Sequence, residues 1–412
     1  MIFLVKFDYY LITGPLLIGF IILVAFVYYT TYLSLIINMP IDKTINLYYL
    51  HKAKKKFATY NNLKIIGITG SYGKTSSKNI VSEMLSAKYI TKPSPLNYNT
   101  LKGLMVTVNN HLDKFDNVLI AEMGAYVPGE IKEICDFIKP QYGILTVIGE
   151  AHLETFKSKE NIQKAKFELI ESLDPNGLAI LNMDDPYQTS YELKNKVKIK
   201  WISIDNKDAD YYASNINFSY NGMSFTCHDG EEELHLKTKL LGRHHIYNIL
   251  AGVALAKEFG ISNNDIINSV SSLTPVEHRL ELKKIGRFYQ LDDAYNSNPL
   301  GARNALEVLS LMNGDKCVVT PGMIELGDKE KESNYAFGQN IAKVADWVIL
   351  IGKNRTKDIY KGLIDSQFDK DKIFILNSVY ESYKRVNSLI DNNRKMYALY
   401  ENDLPDIYTE GE

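Results

Sequence analysis

Two kinds of apolar patterning divide this chain. From Tyr9 to Ile41 no charged residue occurs, and Leu16–Ile37 is almost wholly apolar. Beyond Asn62, short apolar runs alternate with segments whose apolar positions recur at helical spacing. The first pattern predicts a single membrane-spanning helix, because about 20 apolar residues cross a bilayer and roughly 33 are too few to cross it twice. Pro15 is expected in the first turn of that helix, and Tyr28, Tyr29 and Tyr32 near a membrane interface. Lys52, Lys54, Lys55 and Lys56 follow the span, against Lys6 before it, which orients the bulk of the chain to the cytoplasm. A cleaved signal peptide fits less well, since the run is too long and no small-residue cleavage site follows. The expected organisation is a transmembrane anchor over 1–40 and a polar, helical or extended linker over 41–62.

The second pattern predicts an α/β architecture with a largely parallel sheet. Its most informative stretch is Lys64–Lys88. Ile65, Ile66 and Ile68 read as a buried strand, and Ile80, Val81, Met84 and Leu85 recur at helical spacing. Between them lie Gly67, Gly70 and Gly73, followed by Lys74, Thr75 and Ser76. Glycines let backbone N–H groups close on an anion, and a helix N-terminus favours negative charge. Lys74 is placed to reach β/γ-phosphates, and the Thr75 hydroxyl to ligate magnesium. The strict Walker pattern wants glycine where Ile68 stands; here five residues separate Gly67 from Gly73. The alternative, a glycine-rich turn with a surface lysine, leaves the agreement of strand, loop, Gly-Lys-Thr and helix unexplained.

Further runs at Val118–Ala121 and Gly143–Ile148 read as buried strands, and each leads toward a potential metal ligand, Glu122 and His152. Ligands of doubly wound sheets collect at the carboxyl ends of strands. A lone carboxylate or histidine there more often caps a turn, but three strands delivering such groups to one end point to one crevice. Asn161–Leu173 reads as a helix carrying Lys166, Leu178–Leu181 as a strand running into an Asp184–Asp185 turn, and Tyr247–Phe259 as a helix. Residues 190–240 are more antiparallel in character. A charged, glycine-containing stretch at Lys283–Gly286 marks a break. A fresh series follows, with strands at Phe288–Leu291, Cys317–Thr320, Trp347–Ile351 and Met396–Tyr400, and helices from Ala302 and around Phe337–Val344.

Composition narrows the partners. Lys plus Arg (47) nearly balances Asp plus Glu (49), which proposes no nucleic-acid partner. Cys135, Cys227 and Cys317 are far apart and fit buried apolar thiols of a reducing compartment. Cys227, His228 and His235 lack metal-site spacing. With 412 residues, the chain has room for two or three domains.

Seven segments now stand in order: GITGSYGKTSS, EMGAYVPGEI from Glu122, GEAHLETF around His152, KFE at Lys166–Glu168, LNMDDP at Leu181–Pro186, GRHHIYN ending at Asn248, and DDAYNSNP from Asp292. Over about residues 61–400 the chain resembles the Mur ligases, ATP-dependent ligases that build the peptide of bacterial cell-wall precursors. Within that family it is most similar to the branch that adds D-alanyl-D-alanine to a UDP-muramoyl tripeptide. The resemblance implies a central P-loop ATP-binding ligase domain over 63–284 and a C-terminal Rossmann-like domain over 285–412, preceded by the one transmembrane helix.

The resemblance also implies site residues. Gly70, Ser71, Gly73, Lys74, Thr75 and Ser76 would bind the ATP phosphates, Asn248 adenine and Arg279 the phosphates, while Asp293 would act on the nucleotide from the C-terminal domain. Lys74, Glu122, His152 and Lys166 would be catalytic. Thr75 and Glu122 would hold Mg2+, His152 a second metal, and Lys166 would be a carbamate that ligates metal. The implied reaction phosphorylates a carboxylate with ATP, and an amino-acid or dipeptide amine then attacks the acyl phosphate. The acceptor is a peptide carboxylate, UDP-linked or lipid-linked.

The sequence departs from the family's pattern at three places. A membrane span and linker stand where the family's N-terminal UDP-sugar domain is expected, Ser333, Asn334 and Tyr335 stand where a histidine is expected after Glu325–Gly327, and ENDLPD at Glu401–Asp406 replaces a basic KGSR-like segment. Competing expectations are a polyglutamate-type ligase of folate or capsule synthesis, which the EMGA and DDAYNSNP segments disfavour, and a catalytically silent membrane scaffold.

Overall fold

The N-terminal apolar run lies in one continuous helix, α1 (Ile2–Phe57). The computed structural model describes residues 2–60, 62–149, 153–230, 232–295, 297–324, 326–391 and 394–402, with side chains from Pro15 onward and Leu153 and Glu154 by backbone alone. At 1.5 Å per residue α1 is about 84 Å long, well beyond the roughly 30 Å of a bilayer core. Pro15 lies inside this helix rather than in its first turn, because the helix starts upstream at Ile2, and Pro40 lies inside it too. Each proline leaves one i→i−4 bond unmade. The expected linker is helical as far as Phe57, and Lys54–Lys56 sit in its last turn, where cations complement the helix dipole. The apolar side chains from Leu16 to Ile41 are exposed in this N-terminal unit. Thr30, Thr31, Asn38 and Thr44 bond carbonyls three or four residues back, so their polar groups are satisfied within the helix.

The second unit, from Asn61 on, holds two sheets. The first is built from β1 (Lys64–Thr69), β2 (Thr91–Pro93), β3 (Val118–Glu122), β4 (Tyr142–Leu145), β5 (Leu178–Asn182), β6 (Lys198–Ser203), β7 (Tyr211–Ser219), β8 (Gly222–His228) and β9 (Glu233–Thr238). Its order is β2-β3-β1-β4-β5-β6-β7-β8-β9. Pairings are parallel from β2 to β7 and antiparallel from β7 to β9, the change expected within 190–240.

The helices of this part are α2 (Lys74–Ser86), α3 (Leu101–Val106, continued by a π-turn at Thr107–His111), α4 (Glu130–Ile138), α5 (Leu153–Phe156), α6 (Lys159–Glu171), α7 (Pro186–Thr189), α8 (His244–Glu258) and α9 (Asn263–Ser272). Their apolar faces close a core in which Ile66, Ile80, Met84, Ile144, Ile249 and Val253 are buried together.

The second sheet contains β10 (Glu281–Ile285), β11 (Phe288–Asp293), β12 (Asp315–Thr320), β13 (Trp347–Ile351), β14 (Ile373–Leu376) and β15 (Met396–Glu401), in the order β10-β11-β15-β12-β13-β14. It is parallel except for the β10–β11 hairpin. The helices α10 (Pro299–Ser310), α11 (Glu330–Ile341), α12 (Lys357–Asp365) and α13 (Val379–Ser388) accompany it, and buried clusters form around Leu291, Val318 and Leu399 and around Phe288, Cys317 and Ala398.

The stretch expected as a break, Lys283–Gly286, is instead β10 and the start of its turn, with Gly286 at φ 56°. Its charge is paired rather than linker-like: Lys283 Nζ lies 2.9 Å from both Glu281 and Asp292. All three cysteines are buried free thiols, as expected.

Candidate functional site

Three neighbouring parallel strands, β3, β1 and β4, end on the same side, and the glycine-rich loop expected to bind phosphate grows out of the middle one. Gly67 is not part of that loop. It lies within β1, where a Cβ would come 2.6 Å from Leu169 of α6. The loop's bend is made by Gly70 (φ 147°) and Gly73 (φ 81°). A Cβ on Gly70 would stand 1.9 Å from Thr146 Oγ1, so the residue after β4 requires the glycine. That threonine also donates to the carbonyl of Tyr72 at 2.5 Å. Ser71 N–H donates to Val147 O at 2.7 Å, and its hydroxyl joins Gly149. The loop is thereby fastened to the segment after β4.

The helix α2 starts at Lys74 with no side-chain cap, which leaves the first-turn N–H groups of Lys74, Thr75 and Ser76 for an anion. Lys74 curls over the loop and donates to the carbonyls of Gly70 and Ser71 at 2.8 and 3.2 Å. Burial lowers its pKa to about 8, Glu122 opposes that shift and Arg279 adds to it.

Glu122, the last residue of β3, is 3% exposed. It is not a free carboxylate: Lys78 Nζ stands 3.1 Å from its Oε2, and Asn99 donates to its Oε1 at 3.3 Å. Lys78 also donates to Leu96 O at 2.9 Å. Lys78 and Asn99 are site residues that the motif reading missed. The signal for Lys78 was present, since it falls one turn after Lys74 on α2 and faces the same way.

Lys166, on α6, is 2% exposed with its ammonium 5.5 Å from the Phe156 ring. Burial lowers its pKa to about 7, and the charge of Lys74 pushes the same way. Expected site residues from separate motifs therefore act on one another: Glu122 on Lys74, and Lys74 on Lys166. His152 lies outside the described residues.

Across from the loop runs a cleft of about 270 Å³ whose lining includes Gly73, Ser76, Asn248, Arg279 and Asp293. Asn248 packs behind the loop, accepting from Ser77 Oγ at 2.8 Å, and its Nδ2 is buried without a partner among the described residues. Arg279 lies over the Tyr295 ring at 4.1 Å. It is flanked by His278 (φ 60°) and Leu280 (φ 49°), non-glycine residues in the left-handed region. Such strain is stored where the surroundings over-determine it, commonly at functional sites. Burial raises the Asp293 carboxyl to about 7 against the pull of Arg279. Burial and Arg279 also hold His244 down at about 4. Where a histidine was expected after the Glu325–Gly327 element, Asn334 clamps the backbone of Met323 on both sides.

Residues 68–256 match the Mur ligase middle domain, and residues 278–395 match the Mur ligase, glutamate ligase domain. The UDP-N-acetylmuramoyl-tripeptide--D-alanyl-D-alanine ligase of Buchnera aphidicola subsp. Baizongia pistaciae is 32% identical over 68% of this chain and 61% of its own length. The enzyme of the same name from Bacillus subtilis is 29% identical over 81% of this chain and 71% of its own length. This chain thus spans about three fifths of the first relative. Among solved structures, MurF from Acinetobacter baumannii superposes with a TM-score of 0.78 at 25% identity, covering 87% of this chain and 77% of that one.

Proposed function

The chain belongs to the Mur ligase family, and on that premise we propose that it is an ATP-dependent amide ligase of cell-wall peptide synthesis. The carboxylate is that of a muramoyl peptide and the amine that of D-alanyl-D-alanine, by analogy with the relatives bearing that activity. The observation that carries the reading is the electrostatic convergence of Lys74, Glu122 and Lys166 at one sheet end, with Arg279 opposite them.

A carboxylate is a poor electrophile, and phosphorylation gives it a leaving group. Bringing an anionic carboxylate to the γ-phosphate costs repulsion, which fixed positive charge offsets. Lys74 and the first N–H groups of α2 serve the β/γ-phosphates, and Arg279 reaches them from the other side of the cleft. Gly70, Ser71, Gly73 and Ser76 shape the cradle, and Asn248 braces its back while offering its free amide N–H to the nucleotide. Closure of the two sheets around the cleft keeps water from the acyl phosphate.

Thr75, Glu122 and a carbamylated Lys166 would hold magnesium, with His152 at a second ion. Their oxygen donors suit a hard cation. The ion supplies neutralisation of phosphate charge. Lys78 pairs with Glu122, so it would share that carboxylate with a bound metal. A lysine amine held near neutrality adds to carbon dioxide, releasing one proton and becoming an anionic carbamate.

The helix α1 crosses the bilayer once, with the ligase unit on the cytoplasmic side where ATP is. The domain boundary falls ahead of Glu281 rather than at 284, because β10 belongs to the second sheet. An anchored enzyme can serve a lipid-linked acceptor as well as a UDP-linked one.

The deciding assay incubates full-length protein in detergent with ATP, Mg2+, D-alanyl-D-alanine and UDP-muramoyl tripeptide or its lipid-linked form. Phosphate release that requires both acceptor and amine, with the ligated product seen by mass spectrometry, is the expected result. ATP use indifferent to every acid and amine tested overturns the reading, and glutamate as the required amine replaces it with the polyglutamate class.

A further inference from the structure

Asp293 does not stand alone at the cleft. The parallel pairing of β11 with β15 sets it directly beside Glu401, and each of the two buried carboxyl groups acts on the other. Two ionised carboxylates are acceptors only and repel each other when buried side by side, so the pair is relieved by a proton on one of them.

The surroundings say which. Asp293 Oδ1 accepts the backbone N–H of Leu280 at 3.2 Å, and the charge of Arg279 acts on the same carboxyl. Both features favour the anion on Asp293. Glu401 is 1% exposed. Its Oε1 is 2.6 Å from the Ser297 hydroxyl, while its Oε2 is buried with no donor among the described residues. An oxygen that receives no donor is the one where a hydrogen costs least. Burial, and then the charge of Asp293, push Glu401 well above the carboxylate range.

The backbone holds this arrangement at some cost. Asn402, at φ 71°, donates its N–H to Asp293 O at 3.2 Å and its side-chain amide to Gly322 O at 2.7 Å. The next acid, Asp292, is tied to His278 Nδ1 and to Lys283 on β10, both at 2.9 Å, and Lys283 also holds Glu281. Successive strand residues point to opposite faces, so that cluster leaves the Asp293–Glu401 pair to itself, with Arg279 as its nearby cation.

We propose that Glu401 is a protonated positioning residue, whose carboxylic acid donates to Asp293 and holds that side chain's single negative charge in place at the nucleotide cleft. The functional consequence rests on the ATP-site reading above; the shared proton does not. When the proton is lost at higher pH, two adjacent carboxylates repel, Asp293 is displaced and ATP is used less well.

Infrared spectroscopy of the full-length protein in detergent tests the proton directly. At a pH above the value of about 7 to which burial raises Asp293, wild type is expected to show the carbonyl band of an un-ionised buried carboxylic acid, and Glu401→Gln to lack it. Absence of the band, or its survival in Glu401→Gln, overturns the proposal. Kinetics test the positioning. Glu401→Ala is expected to lower kcat/KM for ATP by about tenfold or more, as misplaced groups at a reacting centre do. Glu401→Gln can still donate to Asp293 and accept from Ser297, so it should recover to within about threefold of wild type. It should also remain active at alkaline pH after wild type has declined. A glutamine variant as impaired as the alanine one overturns the proposal. If wild type turns over no ATP at all, the ATP-site reading fails and the infrared band still decides the pair.

Discussion

At the scale of single residues, the site is governed by lysines held where charge is costly. On the proposed reading Lys74 would supply the fixed positive charge nearest the transferring phosphate, and removing a comparable electrostatic contact costs about 10²–10³ in rate. Lys74→Ala should show that loss in steady-state turnover, and near-native activity would remove the loop from the mechanism. Lys166, lowered to about 7 by burial and by Lys74, is a nucleophilic amine near neutral pH and an ammonium below it. Turnover at limiting carbon dioxide should therefore fall as pH drops through 7 and recover with added bicarbonate. Lys166→Ala should be nearly inactive and regain part of its rate with short carboxylic acids but not with chloride; a fully active alanine variant excludes Lys166. Stability must follow the same titration. The folded chain releases a Lys166 proton that the unfolded chain keeps until about pH 10.4, so this group makes stability rise with pH across that window. Lys166→Met should flatten the rise of the urea midpoint between pH 7 and pH 10, and an unchanged slope refutes the burial of that charge.

At the scale of elements, the phosphate loop is a fit between two segments rather than a property of one. Gly70 is demanded both by its φ of 147° and by Thr146, which a Cβ would meet at 1.9 Å. Gly70→Ala should abolish saturable ATP binding by calorimetry. Adding Thr146→Ala removes the clash but not the backbone strain, itself about 1–3 kcal/mol, so the double variant should recover binding only in part. Full recovery or none would separate sterics from conformation differently from this account. Thr146 was invisible as a partner in the sequence, because it sits 76 positions after Gly70 and follows a different strand. The strand, loop and helix around Lys74 were legible because local periodicity and glycine chemistry coincide there. Short strands were not: β2 spans only Thr91–Pro93 and β14 only Ile373–Leu376, runs too brief to stand out by period. The strand β10 was read as a break because its charges neutralise one another only once Lys283 meets Asp292 of β11. The pairing of Lys78 with Glu122 and of Glu401 with Asp293 likewise exists only across strands or between strand and helix, and motif order along the chain does not encode it.

At the scale of the whole molecule, the chain divides after Tyr60 into the helical unit and the α/β unit, so most of the stretch expected as a linker over 41–62 belongs to the helical unit. A cut at residue 40 would leave the stretch from Ile41 to Phe57 as a helix with Ile41, Ile45, Leu47, Tyr48 and Tyr49 exposed. Exposed apolar groups of this kind favour association. Deleting residues 1–60 instead leaves both sheets, the phosphate loop, Glu122, Lys166, Arg279 and Asp293 intact. That truncated protein should be recovered without detergent, remain folded by circular dichroism and keep ATP turnover with a soluble UDP-linked acceptor. Its rate with an acceptor embedded in vesicles should fall relative to the full chain, because anchoring raises the effective concentration of enzyme at the membrane surface. A truncated chain that still sediments with membranes would show that the α/β unit binds them itself. One that loses the soluble reaction as well would make α1 part of the catalytic apparatus rather than its tether.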